Sequence, residues 1–335
     1  MILVTGGTGL VGAHLLYQLS LENETIVAIH RASSNLNAVK HVFSYYTPDY
    51  ETQFNKIIWK VADINDITAL DLVFAGITSV YHAAAIISFD KEDYRIMRKV
   101  NIEGTANLVN MAIAHKVKKF CFVSSVATVS KSANNPLISE ESEWNSEEKN
   151  NDYAISKYGA ETEVWRGSQE GLEVIIVNPG IILGAGFWNN GSGKLFETVN
   201  NGFKYYSEGI TGYVSVSDVV TIMIRLMDSH VKNERYILVA ENRSFKEVLF
   251  DIASGLGVKK PNIKATPFLG ELAWRLAWLK SIISQKPAVL TKETARAGYR
   301  ISNYSNQKII KELNYTFESI DSSIKKICNF YKQDA

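Results

Sequence analysis

The chain opens with Met1-Ile-Leu-Val-Thr-Gly-Gly-Thr-Gly-Leu-Val-Gly-Ala-His14, and this stretch decides the fold class. Ile2, Leu3 and Val4 form a short apolar run of the kind that fits a buried strand. Gly6, Gly9 and Gly12 follow at the spacing G-x-x-G-x-x-G, and Ala13-His-Leu-Leu-Tyr-Gln-Leu19 then carries apolar residues at helical spacing. Strand, glycine turn and helix, in that order, make the first unit of a dinucleotide-binding α/β fold. Gly6 allows a tight turn off the strand, Gly9 lets backbone approach a pyrophosphate, and Gly12 lets helix and strand pack closely. Thr8 in the turn and the first-turn N–H groups of Leu10 and Val11 would face the phosphates at the positive end of the helix. A glycine triplet alone is weak evidence; the strand before it and the amphipathic helix after it give it weight.

The same alternation continues outward. Thr25–Ile29, Lys56–Val61, Ser79–His82, Lys119–Val123 and Val174–Val177 read as strands. Helical patterns separate them: one capped by Asp66 and running to about Ala75, a long one from Asp90 to about His115, and one through Tyr153–Glu161. Residues 35–54 form a polar, aromatic-spotted connection with no assigned structure. The acidic stretch 130–151 reads as a surface excursion. This pattern predicts a doubly wound parallel sheet, a Rossmann fold, over residues 1–180 and 213–235. Residues 181–212 and 236–335 are expected to form a smaller α/β substrate cap. Gly184–Lys194 is glycine-rich and reads as a mobile loop; it fails as a P-loop because Trp188 and Leu195 stand where Gly and Ser/Thr are needed.

Bulk properties limit the partners. Lys and Arg total 36 against 35 Asp and Glu, a net charge of +1, which gives no electrostatic ground for nucleic acid or an anionic membrane. Two cysteines build no disulfide framework, no run approaches a membrane span, and the first strand leaves no room for a leader; the expectation is a cytoplasmic protein. The six histidines show no paired-ligand spacing, so no metal site is expected.

Strand ends supply the site residues. Where an acidic residue after the second strand would select NAD, the chain has His30-Arg31-Ala-Ser-Ser34. Arg31 with Ser33 and Ser34 suits a 2′-phosphate and favours NADP, the alternative being a solvated strand end. Asp63, with Ile64, is placed to meet an adenine, or else caps its turn. Ala83, Ala84 and Ala85 are small enough for backbone to lie against a cofactor. Tyr153 and Lys157 stand at i and i+4 on a helix and share one face. A phenol titrates at about 10 in water, and a nearby ammonium lowers that value toward useful proton exchange. Lys157 can also reach a nicotinamide ribose. Tyr304 and Lys308 have the same spacing, but only Tyr153 follows a strand ending in Ser124-Ser125. Ser125, with Ser124 as runner-up, is placed to orient a carbonyl beside the phenol; strand-end capping is the simpler role.

Gly6-Gly-Thr-Gly-Leu-Val-Gly12, Asp63-Ile64, His82-Ala-Ala-Ala85, Asn101, Ser125 and Tyr153-x-x-x-Lys157 together resemble the extended short-chain dehydrogenase/reductase family over roughly residues 1–220. The resemblance implies Tyr153 as acid/base, Lys157 positioning cofactor and phenol, Ser125 binding the reacting oxygen and Asn101 supporting a proton relay. Asn178-Pro-Gly180 with Ile181, and Tyr213–Asp218, look like the family's segments into and out of the substrate region, the first touching cofactor. The second strand's end and Phe122–Ser125 look more like dihydroflavonol reductases and 3β-hydroxysteroid dehydrogenases than sugar-nucleotide epimerases. Family members often pair as homodimers through two long helices, here about 90–115 and 153–168.

The expected activity is NADP(H)-dependent reduction of a ketone or aldehyde, or oxidation of the matching secondary alcohol, with NAD as the other candidate cofactor. The alternatives are an NAD-dependent sugar-nucleotide epimerase or dehydratase, and a non-catalytic dinucleotide sensor. Phe187, Trp188, Tyr205, Tyr206 and Trp274 suggest an apolar or aromatic small-molecule substrate. Residues 268–284 are strongly apolar: a cap helix lining pocket or core, or a stretch that docks on a membrane or a partner.

Overall fold

The computed structural model describes residues 1–22, 25–130, 137–284 and 291–335. Residues 131–136 of the acidic excursion and 285–290 of the cap therefore lie outside the described chain. Seven strands form the central sheet: β1 (Ile2–Thr5), β2 (Ile26–His30), β3 (Ile57–Val61), β4 (Ser79–His82), β5 (Lys119–Val123), β6 (Glu173–Pro179) and β7 (Glu234–Leu238). Their order is 3-2-1-4-5-6-7, and every neighbouring pair is parallel. The order in which the chain adds strands reverses between β1 and β4, the crevice where such sheets hold ligands.

The apolar strand runs follow from burial on both faces. Side chains alternate along each strand, so Ile2 and Val4 enter one core and Leu3 the other. The first core packs α1 (Leu10–Ser20) and α4 (Val216–Asp228) through Leu15, Leu16, Val219 and Met223. The second packs α2 (Gly104–Ala114) and α3 (Asp152–Gln169) through Leu108, Val109, Ala160 and Val164. Asp66 caps Ile67–Phe74 by accepting from the Ala69 N–H.

The unassigned connection holds two helices, Leu36–Ser44 and Tyr50–Asn55, the first capped by Asn35. The expected long helix is interrupted. Lys91–Asp93 is a 3₁₀ turn, Tyr94–Met97 is α-helical, Arg98–Glu103 is a π-helical turn, and α2 follows. The boundary expected at residue 235 falls inside β7, which continues the sheet register to Leu238 against Pro179. The acidic excursion is partly internal: Glu140 accepts from the β7 N–H of Ile237, and Arg235 donates to the carbonyls of Glu140 and Ser142, covering the sheet edge.

The cap contains a small sheet of Ile181–Leu183, Ile210–Ser215 and Glu241–Ser244. Helices Gly193–Asn200, Phe245–Leu256 and Ile320–Asp334 close its core around Phe196, Tyr213, Ile252 and Ile324. The glycine-rich loop is tied down: Trp188 Nε1 donates to Asp334 at 2.7 Å, and Tyr45 donates to the same carboxylate.

Candidate active site

The glycine turn has the geometry its sequence implies. Gly6 has φ +72°, and a Cβ there would lie 2.5 Å from Ala84 N. A Cβ at Gly12 would lie 2.1 Å from Gly6 O, so only glycine lets α1 sit on the turn. Gly9 differs: a Cβ there would meet only Gly6 O, at 3.5 Å. It caps α1 without a side chain, which leaves the first-turn N–H groups of Leu10, Val11 and Gly12 for a ligand. This open turn at a helix N-terminus fits a dinucleotide pyrophosphate. Thr8 stands half-buried beside it.

Around the turn, Ala83 N donates to Thr5 O at 3.1 Å, which sets the small residues against Gly6. Ala85 is exposed at the end of that run. Arg31 is exposed and forms no ion pair among the described residues; its backbone N–H donates to Ser34 Oγ at 3.1 Å. Asp63 is exposed, and its Oδ1 accepts from the N–H and side-chain amide of Asn65, so it shapes its own turn. Ile64 is buried, and a Cβ on Gly104 would strike it at 2.5 Å.

The end of β5 sorts its two serines. Ser124 Oγ donates to Glu161 at 2.5 Å, in a buried cluster where Thr128 Oγ1 (2.8 Å) and Asn178 Nδ2 (2.9 Å) donate to the same oxygen. Arg235 stands 3.4 Å from the other Glu161 oxygen. Ser125 instead caps the short turn Val126–Thr128 by accepting from Ala127 N at 3.1 Å, and its hydroxyl stands beside Tyr153. Asn178, expected at the cofactor, commits its amide to the Glu161 cluster. Pro179 ends β6, Gly180 packs 2.3 Å (as Cβ) from Gly212 O, and Ile181 pairs with Tyr213 in the cap sheet.

Lys157 is buried and donates to Val123 O at 2.7 Å, with its ammonium 4.2 Å from the centre of the Phe122 ring. Burial lowers its pKa to about 7, against a raising contribution from Glu161. Burial raises Tyr153, and the Ser125 hydroxyl beside it opposes the rise. The expected lowering by Lys157 is not what dominates. Both groups sit in a poorly solvated cleft that disfavours either charge, and a lysine brought near neutrality has less charge to offer.

Asn101 occupies the π-helical turn. Its side chain accepts from Ile86 N (2.8 Å) and donates to Ile86 O (2.9 Å) and Ser156 Oγ (3.0 Å). It pins the segment after β4 to α3. Sequence reasoning missed His82 in this network. Its Nδ1 pairs with Thr5 Oγ1 at 2.7 Å and its Nε2 with Thr105 Oγ1 at 2.9 Å, and Thr105 donates to Asn101 O. Burial pushes the imidazole down to about 3, so it is neutral. His82 lies in the quoted alanine motif, and a histidine among small apolar residues was the available signal. Glu161, another omission, stands one helical turn after Lys157.

Beside Tyr153 lies a polar pocket lined by Ser88, Phe89, Asn151, Asp152 and Glu293 of the cap, with the Phe89 ring edge-on to Tyr153 at 6.1 Å. The expected aromatics are elsewhere. Trp188 packs on Phe196 and Tyr331, Tyr206 on Phe250, and Trp274 donates to Glu271. Phe187 packs against the α1 core and Tyr205 is exposed. Lys308, the decoy partner of Tyr304, is paired with Glu234 at 2.5 Å.

Residues 2–239 match the model of the NAD dependent epimerase/dehydratase family. A Synechocystis protein provisionally named dihydroflavonol 4-reductase is 25% identical over 342 residues, covering 98% of this chain and 94% of its own. A UDP-glucose 4-epimerase of Vibrio cholerae is 29% identical over 268 residues, covering 76% and 75%. In fold, the chain matches the UDP-glucose 4-epimerase of Thermotoga maritima with a TM-score of 0.78 at 19% identity, covering 99% of both chains.

Proposed function

Since the chain belongs to the NAD dependent epimerase/dehydratase family and is an enzyme of the extended short-chain dehydrogenase/reductase type, we propose that it is an NADP(H)-dependent reductase of a ketone or aldehyde, working also as dehydrogenase of the matching alcohol. The observation that carries this reading is the Ser125 hydroxyl standing beside Tyr153 at the end of β5, with Lys157 one turn along the same helix as Tyr153. A bound nicotinamide dinucleotide supplies or accepts the hydride. The glycine turn and the α1 N-terminus hold the pyrophosphate, and Arg31 meets the 2′-phosphate. Ser125 donates to the substrate oxygen, Tyr153 gives or takes the proton there, and Lys157 orients the ribose. Asn101 keeps α3 in place by holding Ile86 and Ser156. The pairing expected of this family places α3 and the 94–114 segment at a homodimer interface, and the protein acts as a small-molecule enzyme. Among the described residues, no helix is long and apolar enough to cross a membrane.

The test is NADPH oxidation over a panel of ketones and aldehydes with wild type and Tyr153→Phe. Turnover should fall by roughly 10²–10⁴-fold in the variant while cofactor affinity holds. Near-normal turnover in the variant would remove Tyr153 from the chemistry. A second reading, transient oxidation and epimerisation of a sugar nucleotide with NAD, draws support from the Vibrio cholerae relative. Interconversion of UDP-glucose and UDP-galactose without net NADPH consumption would favour it, and an exposed Arg31 argues against it.

A further inference from the structure

Helix Pro267–Ser284 is built inside out for a surface helix of a globular protein. At 100° per residue, Phe268, Leu269, Leu272, Leu276 and Leu279 fall within an arc of about 100°. That arc faces outward: Phe268 is 76% exposed, Leu276 58% and Leu279 50%. The opposite side carries Gly270, Ala277, Trp274 and Trp278; Trp278 is 56% exposed, and Gly270 is buried so tightly that a Cβ would lie 2.9 Å from the Tyr299 hydroxyl. Trp274 on that side is fixed by Glu271, which also pairs with Arg275 and Arg296. The Phe268–Leu279 stripe is thus presented to the surroundings, while the helix meets the protein through Gly270 and Trp274. Exposed apolar stripes of this kind mark interaction surfaces.

Charge identifies what covers the stripe. Residues 258–300 hold nine Lys and Arg against two Glu, an excess of seven positive charges. The whole chain is +1, so the remainder carries an excess of six negative charges. The near-neutral total conceals a basic segment centred on an apolar helix. A second copy meeting this face about a two-fold axis would set like charge against like charge. An acidic partner surface with an apolar interior satisfies both features.

We propose that helix Pro267–Ser284 docks the protein on an anionic phospholipid bilayer, lying in the interface with the Phe268–Leu279 stripe among the acyl chains and the flanking basic residues at the headgroups. The helix packs against Lys292–Ala297, whose Glu293 lines the pocket beside Tyr153, so one helix separates the docking helix from that pocket.

Cosedimentation of the full chain with vesicles tests this, using roughly 3:1 phosphatidylcholine/phosphatidylglycerol against phosphatidylcholine alone. The wild type should pellet with the anionic vesicles, remain in solution with the neutral ones, and be released by raised salt. The double variant Leu272→Glu/Leu276→Glu should lose about tenfold or more of the bound fraction, with its circular dichroism and dinucleotide binding unchanged. Wild-type protein that stays in solution with anionic vesicles overturns the proposal, as does a variant that binds them equally well. A dimer in sedimentation velocity that the double variant dissolves overturns it too, and assigns the stripe to a second copy. None of these readouts requires turnover, so they stand apart from the test of Tyr153.

Discussion

Ser124 Oγ donates to the buried Glu161 carboxylate at 2.5 Å, while the hydroxyl of its neighbour Ser125 stands beside the phenol of Tyr153. Adjacent residues at a strand end point to opposite sides, so one hydroxyl is committed to the core and the other to the cleft. Ser125→Ala should lower turnover by roughly 10²–10³-fold, as loss of a donor to the reacting oxygen does. Ser124→Ala should leave turnover within a few-fold but lower unfolding stability by about 1–3 kcal/mol, because a buried carboxylate loses a donor. Steady-state kinetics and urea titration of both variants separate the two roles.

The glycine turn offers a similar contrast. Gly12→Ala forces a Cβ to 2.1 Å from Gly6 O and should destabilise the fold by roughly 1–3 kcal/mol or more while abolishing dinucleotide binding. Gly9→Ala meets only Gly6 O, at 3.5 Å, so the fold should hold. Its dinucleotide affinity should drop about tenfold or more, since the new methyl sits where backbone approaches the pyrophosphate. Thermal unfolding with and without dinucleotide reads both.

Lys157 gives a pH signature. Its folded value is about 7 against an ordinary 10.5, so between these limits the unfolded chain binds the extra proton and stability rises with pH. That contribution is fully present above 10.5 and is lost as pH falls through about 7. Lys157→Met should flatten this part of the stability profile relative to wild type. An unchanged slope would mean that the buried ammonium keeps its ordinary affinity for protons.

Acid should act through the buried imidazoles. His82 is held down to about 3 from 6.5. His14, between Tyr46 and Ala185 O, is held down to about 4. Both lowered values come from burial, so stability from each is complete above 6.5 and declines as pH falls toward the folded value. Urea midpoints from neutral to acid pH should fall less steeply in His82→Gln than in wild type.

Arg31→Ala should raise the KM for NADPH by roughly 10–100-fold and leave that for NADH within a few-fold, the loss of a charge-assisted phosphate contact. Equal effects on both cofactors would place the 2′-phosphate away from Arg31.

Much of this was legible in the sequence because it rests on local rules. β1, the glycine turn and α1 are contiguous, and β4 and β5 begin and end at the expected residues. What stayed hidden depends on distant partners. Glu140 looks like one of several surface acids until Ile237, 97 residues on, donates to it. Trp188 looks like a pocket residue until Asp334, 146 residues away, accepts from it. The π-helical turn at Arg98–Glu103 has an ordinary helical pattern, and only the folded chain shows Asn101 reaching Ile86 and Ser156. The helix at 268–284 is apolar in either role; its direction was set by Gly270 against Tyr299, a contact that periodicity does not reveal.

The neutral His82 ring ties Thr5 at the end of β1 to Thr105, and through it to Asn101. Thr5 and His82 stand opposite each other across the β1–β4 boundary, so side-chain hydrogen bonds cross-link the crevice floor where the strand order reverses. A cap grafted from another scaffold would leave this strut untouched, because Thr5, His82, Asn101 and Thr105 all lie within the sheet-and-helix half of the chain.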